Sequence, residues 1–297
     1  MKINRIRLAG LAVMLLVLVG ATPAFAQVDL TGIWAPLGGH EDTRERAAGP
    51  DVGDYLGLPI NDAGRMRGDT WSASILTMYE HTCKPHPSIY GFRGVGNLRM
   101  GYVFDPVTFN VTKIDTHIQW MEQRREIWMD GRAHPPAYAP HTWQGFSTGR
   151  WEGTTLVVTT THLKASWVRR NGIATSDQAT HEERFIRHGD VMTHVSIVTD
   201  PVYFTEPLMR TNGFRLNNNA VAVQPYPCFA AEEVLHARGT VPHVLPAAST
   251  YIKEFSTEQD LPEEAVRGGA ATMYPEFMKK FVGRPAPRPG GGRGSGL

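Results

Sequence analysis

Residues Ala179–Thr199 read ATHEERFIRHGDVMTHVSIVT, two alternating runs of β-branched, aromatic and charged residues on either side of Gly189-Asp190. A period of two, broken by a Gly-Asp turn, predicts a β-hairpin: Ala179–His188 folding back into Val191–Thr199. The same grammar recurs upstream. Thr148–Trp151 and Thr155–Thr161 flank Glu152-Gly153-Thr154, and Thr116–Met121 and Arg125–Met129 flank Glu122-Gln123-Arg124. Tyr102–Phe104 and Thr108–Ile114 lie on either side of an Asp-Pro break, and Val28–Trp34 reads as an opening strand that turns at Thr31-Gly32. Short strands joined by turn residues predict a mainly β fold, a single antiparallel β-barrel, with a β-sandwich as the alternative.

Short helices are expected only at the periphery. Asn61 or Asp62 can cap a helix running toward Met66, and Glu232–His236, Glu263–Arg267 and Tyr274–Phe281 carry helical spacing. Cys83-Lys84-Pro85-His86-Pro87 must be extended, because each proline biases the residue before it toward β or polyproline geometry.

The two ends of the chain read differently from the middle. Lys2, Arg5 and Arg7 precede an apolar run, Leu8–Gly20, and Ala24-Phe25-Ala26 fits the small-x-small cleavage rule, so residues 1–26 are expected to be a secretory signal peptide. The alternative, an uncleaved anchor, needs ~20 apolar residues, and the run stops at Gly20. Residues 27–282 are then the β-barrel domain, and the Gly/Pro/Arg tail 283–297 is expected to be disordered. Cleavage leaves 27 Lys+Arg against 29 Asp+Glu, a near-neutral balance that argues against a nucleic-acid partner. No second apolar stretch reaches membrane length, so no membrane partner is expected after cleavage, and the location reads as periplasmic or secreted. The two cysteines, Cys83 and Cys228, are a disulfide candidate in such a compartment; two separate buried thiols are the alternative.

Gly149-Arg150-Trp151-Glu152-Gly153-Thr154-Thr155-Leu156-Val157-Val158, followed by Thr160, resembles the GRWEGDTLVVxT signature of a large uncharacterised family of exported bacterial proteins. The start Asp29-Leu30-Thr31-Gly32, Asp130-Gly131-Arg132 with His134-Pro135, Glu183-Arg184-Phe185 and Asp200-Pro201 extend the likeness. The resemblance implies a lipocalin-like β-barrel and no established activity. Thr154 stands where that family usually carries Asp.

Several motifs bear on chemistry. Gly145-Phe146-Ser147-Thr148-Gly149 has the form GxSxG, but a nucleophile elbow requires a helix after the serine, and here a hairpin follows. The 12 histidines show no HxH, HxxxH or HExxH spacing, so no metal site is expected. Glu126, Asp130, Arg132, His134 and His141 cluster around the turn after the first hairpin and form the candidate catalytic set. A carboxylate beside His134 would fix its tautomer for proton transfer, and Arg132 or His141 would stabilise developing charge. His181 and Glu183 share strand parity with Phe185, as His194 does with Met192 and Val198, and they either line a cavity or pair on the solvent face.

Seven tryptophans suit a pocket for an aromatic guest, and Trp120, Trp128, Trp143 and Trp151, with His181 and Glu183, are the candidate ligand-binding residues. NAD, flavin and P-loop fingerprints are missing, so no cofactor is expected. The reading is a cofactor-independent acid/base enzyme, a lyase, dehydratase or isomerase, acting on a small hydrophobic or aromatic molecule. The alternative is a non-catalytic binding protein of lipocalin type for the same kind of molecule.

Overall fold

Alternation along the Ala179–Thr199 stretch becomes two paired strands in the computed structural model, which describes residues 28–37, 52–71, 82–92, 96–169, 171–217, 219, 227–230, 239, 244–245 and 247–281. The expected signal peptide, the tail and the helix Glu232–His236 lie outside the described residues. The strands are β1 (Gly32–Pro36), β2 (Leu98–Phe104), β3 (Val111–Ile118), β4 (Gln123–Trp128), β5 (Phe146–Glu152), β6 (Thr155–Thr161), β7 (Ser166–Trp167), β8 (Ala174–Thr175), β9 (Thr180–His188), β10 (Val191–Thr199) and β11 (Leu208–Leu216).

Nine of them close a barrel in the order β1-β11-β10-β9-β6-β5-β4-β3-β2, while β7 and β8 form a separate two-stranded ribbon. The β9–β10 hairpin turns at Gly189-Asp190, with Val191 opposite His188. The β5–β6 hairpin turns at Gly153, whose φ of 60° suits glycine. The mainly β, closed-barrel expectation holds, and a sandwich does not describe it.

Three details differ from the sequence reading. The turn after β3 comes earlier than expected, through a tight helical turn at Trp120–Glu122 in which Met121 and Glu122 take positive φ. One seam is parallel: Ile127 of β4 faces Ser147 of β5, and the segment 129–145 must therefore run back along the barrel wall between them. The third is β11, which no sequence signal marked. Its inward row is Leu208, Arg210, Asn212 and Phe214, so polar residues interrupt the apolar pattern that announces a strand.

Inward rows fill the interior in two zones. Trp34, Leu98, Met100, Ile114, Ile127, Leu156, Val158, Phe185, Met192 and Phe214 make an apolar zone. The second apolar cluster, including Tyr55, Ile60, Val168, Ile173, Phe204, Ile252 and Phe255, packs peripheral segments against the barrel. Among these segments is the helix Asp62–Asp69, capped as expected by Asn61, whose side-chain oxygen accepts the Gly64 N–H at 3.0 Å. The helix Tyr251–Gln259 was not expected, and it buries Ile252 and Phe255.

Cys83 and Cys228 are joined in a disulfide across 145 positions of sequence. The bond points to an oxidising, non-cytoplasmic compartment. It holds the start of a segment that reaches the short helix Ser88–Gly91, every residue of which is buried. Phe92 follows, its ring 4.5 Å from His194, 5.6 Å from Phe185 and 6.3 Å from Phe214. This segment plugs the barrel interior. No described helix is long and apolar enough to cross a membrane.

Candidate functional site in the barrel interior

Strand parity puts charge inside. On β4 the inward residues Gln123, Arg125 and Ile127 alternate with exposed Arg124 and Glu126; on β9 the inward row is His181, Glu183 and Phe185. On β10 it is Met192, His194, Ser196 and Val198. Cross-strand register then places Ser196 opposite Glu183 and Arg210, His194 opposite Asn212, and Thr160 opposite both Ser147 and His181.

The side chains converge on Glu183, which has no solvent exposure. Arg125 grips it with both terminal nitrogens, Nη1 reaching Oε1 at 3.1 Å and Nη2 reaching Oε2. The same guanidinium donates Nε–H to Ser147 Oγ at 2.9 Å and Nη2–H to Thr160 Oγ1 at 2.6 Å. His194 Nε2 lies 3.0 Å from Glu183 Oε1, so that nitrogen carries the proton. A neutral His194 ring then accepts from the Asn212 amide at Nδ1, 3.3 Å away.

His181 completes the set. Its Nε2 is 2.8 Å from Ser196 Oγ, while Nδ1 is 3.3 Å from Ser88 Oγ on the plug and 3.6 Å from Glu183 Oε2.

Electrostatics follow from burial. Desolvation pushes the fully enclosed His181 down to about 4; Glu183 opposes the shift, and Arg125 and His194 add to it. The ring is therefore neutral near pH 7. Burial by itself would raise Glu183, but the charge of Arg125, then His181 and the bonds from His194 and Arg125, hold it far below the usual carboxylate range. A neutral imidazole with a hydroxyl at each nitrogen, and an ionised carboxylate 3.6 Å from Nδ1, can take a proton from the hydroxyl it faces.

The rim residues singled out from sequence are not brought together in this way. Asp130 and Arg132 bind each other, with Nε–H donated to Oδ1 at 2.9 Å, and the guanidinium lies 3.5 Å over the Trp128 ring. Glu126 faces outward and pairs with Lys113. His134 meets two hydroxyls, Thr161 at 2.7 Å and Thr148 at 2.9 Å, where a carboxylate was expected. His141 donates from Nδ1 to the Leu163 carbonyl at 2.8 Å.

The tryptophans divide as well. Trp128 and Trp143 lie outside the interior beneath cations, Lys113 and Arg132 for the first and Lys164 at 5.1 Å for the second. Trp151 packs on the apolar zone, and the Trp120 side chain lies outside the described set. The aromatic members of the buried core cluster are Trp34, Tyr90, Phe92, Trp167, Phe185 and Phe214. Ser147 of the GxSxG stretch binds Arg125 and Thr160 and, among the described hydrogen bonds, no imidazole.

Sequence reasoning named His181 and Glu183 but missed Arg125, Ser196, Asn212 and Ser88. One signal was available: Arg125 shares parity with Ile127, and a cation on an inward row requires an anion on another. Among the described residues no group of three or more His, Cys, Asp or Glu side chains is arranged to hold a metal ion. The fold and site thus define a closed β-barrel with a buried Arg–Glu–His network. A scan of family models, a search of curated proteins and a search of solved structures each return no match.

Proposed function

We propose that this chain is an exported, periplasmic or secreted acid/base enzyme, a lyase, dehydratase or isomerase without a cofactor, acting on a small hydrophobic or aromatic molecule. His181 is the proton-transferring group, Ser88 orients it at Nδ1 with the Glu183 carboxylate 3.6 Å away, and Ser196 relays or receives the proton at Nε2. Arg125 holds the carboxylate ionised and immobile. The observation that carries this reading is the row Ser196–His181–Glu183, with a neutral imidazole 2.8 Å from the hydroxyl and 3.6 Å from the carboxylate inside a barrel whose buried core is rich in aromatic rings. The disulfide supports the exported location, and the resemblance to an exported family agrees with it.

Native mass spectrometry of the purified protein identifies whatever small molecule travels with it. That molecule is then incubated in D2O with wild type, His181→Ala and His134→Ala. The expected result is deuterium incorporation or turnover with wild type and His134→Ala, and none with His181→Ala. Turnover surviving in His181→Ala overturns the assignment. The second reading, a lipocalin-type carrier, draws on one observation: both Glu183 oxygens are already engaged by protein groups. A carrier would retain the molecule in all three proteins and exchange no proton in any.

A further inference from the structure

We infer that the tip of the β2–β3 hairpin, residues 104–110, is a lipid-docking knob that seats Phe104, Val107 and Phe109 in an uncharged membrane surface. Asp105-Pro106 opens the turn, and the chain then presents Val107, 83% exposed, and Phe109, 77% exposed, beside Phe104 at 53%. Three large apolar side chains within six residues, mostly uncovered by the barrel, make a patch that marks a contact surface. Phe109 also takes a φ of 57°, a region that bulky residues rarely enter and that glycine or asparagine occupies at little cost. Neither packing nor backbone geometry explains a phenylalanine at this position. A contact outside the molecule does.

The tip is suited to a place with little water, because every N–H from Asp105 to Asn110 is bonded inside the turn. Asp105 Oδ1 accepts the Val107 N–H at 3.0 Å, the Thr108 N–H at 2.7 Å and the Thr108 hydroxyl at 3.0 Å. The Asp105 N–H reaches the Asn110 carbonyl at 2.8 Å, and the Phe109 N–H reaches the Asp105 carbonyl at 2.9 Å. The Asn110 N–H is 3.4 Å from Thr108 Oγ1, and Pro106 has no N–H to place. An apolar medium penalises each unbonded donor, so this closure lets the tip enter one with its backbone intact. It also leaves no main-chain donor for a partner protein to pair with, and apolar burial is the driving force that remains.

Charge and chain direction select the surface. Beside the tip, Lys113 is paired with Asp115 and Glu126, and Arg132 with Asp130, so that with Asp105 four carboxylates stand against two cations. That balance offers nothing to anionic headgroups and favours a zwitterionic surface entered through apolar contact. Val28 lies at the same mouth of the barrel: Tyr102 Oη, two residues before Phe104, donates to its carbonyl at 3.3 Å and accepts the Leu30 N–H at 3.0 Å. The chain that carries the apolar run Leu8–Gly20 thus enters the barrel beside the tip, and an export signal held in the membrane turns this mouth toward lipid. The lack of a second membrane-length stretch bears on spanning and not on such a peripheral contact. The contact does not depend on the proposed catalysis.

Flotation of the cleaved chain, residues 27–297, with vesicles of phosphatidylcholine and phosphatidylethanolamine tests the knob. Wild type is expected to float with the lipid, and adding phosphatidylglycerol is expected not to strengthen binding. Val107→Ser/Phe109→Asn is expected to lower the partition coefficient about tenfold or more, the loss of one seated side chain. Its urea midpoint is expected to stay at or above that of wild type, because asparagine tolerates the positive φ of position 109. Wild type that stays with the unbound fraction, a double variant that floats equally, or binding that requires phosphatidylglycerol overturns the proposal. So does a tip-dependent dimer that leaves vesicles unbound, which makes a second copy the occupant. Amide broadening by spin-labelled phosphatidylcholine needs no variant: residues 104–110 are expected to broaden, while the helix Tyr251–Gln259, packed against Val198 and Leu208 at the other end of the barrel, stays sharp. Uniform broadening or the reverse order overturns it.

Discussion

Arg125 of β4 and Glu183 of β9, 58 positions apart in sequence, meet inside the barrel as a buried bidentate ion pair. Withdrawing both charges from water costs several kcal/mol per ion, and the pair is supported by further hydrogen bonds, from Arg125 to Ser147 and Thr160 and from His194 to Glu183. Removing one partner strands the other. Arg125→Met is expected to lower unfolding free energy by about 3–5 kcal/mol in urea titrations. Arg125→Met/Glu183→Leu should recover part of that loss, since no bare charge remains. A single variant within about 1 kcal/mol of wild type would show that losing Arg125 does not strand Glu183.

Acid sensitivity follows from His181. Its ordinary value of 6.5 falls to about 4 in the fold because burial disfavours the charged ring. Above pH 6.5 folded and unfolded chains are both neutral at this site, and stability is complete. Between 6.5 and about 4 the unfolded chain takes up a proton that the folded chain refuses, so stability declines as pH falls, by up to about 1.4 kcal/mol per pH unit. Glu183, held below its ordinary 4.5, adds a second loss beneath that pH. Denaturant midpoints measured from pH 7 to 4.5 should slope downward in wild type and flatten in His181→Gln; equal slopes in the two proteins would exclude His181 as the source.

The legible part of this fold was what water and backbone geometry enforce. Gly189-Asp190 and Gly153 mark turns because only certain residues tolerate those angles, so the β9–β10 and β5–β6 hairpins could be placed from sequence. Parity put His181, Glu183 and His194 on rows with apolar neighbours, but whether a row faces core or solvent depends on strands far away in the chain. Arg125 needed Glu183 to explain it, and β11 needed both, since Arg210 and Asn212 look like surface residues until the barrel closes over them. The rim cluster looked functional through proximity in sequence alone. Asp130 and Arg132 satisfy each other, and His134 is turned toward threonines on strands that the segment reaches only because the β4–β5 seam is parallel.

The Cys83–Cys228 bond should carry a measurable share of stability. It ties the start of the plug to a segment beyond β11, with a sequence separation of 145. Replacing both cysteines by serine is expected to lower unfolding free energy by about 2–5 kcal/mol. Deuterium exchange should rise most at residues 86–92, because these enter the barrel directly after the bridge. Uniform exchange changes across all strands would show that the bond restrains the unfolded chain alone and does not hold the plug.

The GxSxG stretch gives the sharpest contrast between motif and structure. Gly145 has φ of 67°, and a Cβ placed on it would lie 2.5 Å from the Thr161 carbonyl oxygen and 2.6 Å from Thr160 Cγ2. Gly145→Ala should therefore cost more than the ~1–3 kcal/mol of a left-handed non-glycine residue. Gly153 has φ of 60° but nothing within 4 Å of its added Cβ, so Gly153→Asn should stay within about 1 kcal/mol of wild type. Ser147→Ala leaves the buried Arg125 Nε–H without its acceptor and should cost about 1–3 kcal/mol. If Ser147 were instead an activated nucleophile, a fluorophosphonate probe would label wild type and not Ser147→Ala. With its hydroxyl held by Arg125 and Thr160, neither protein should be labelled at that position.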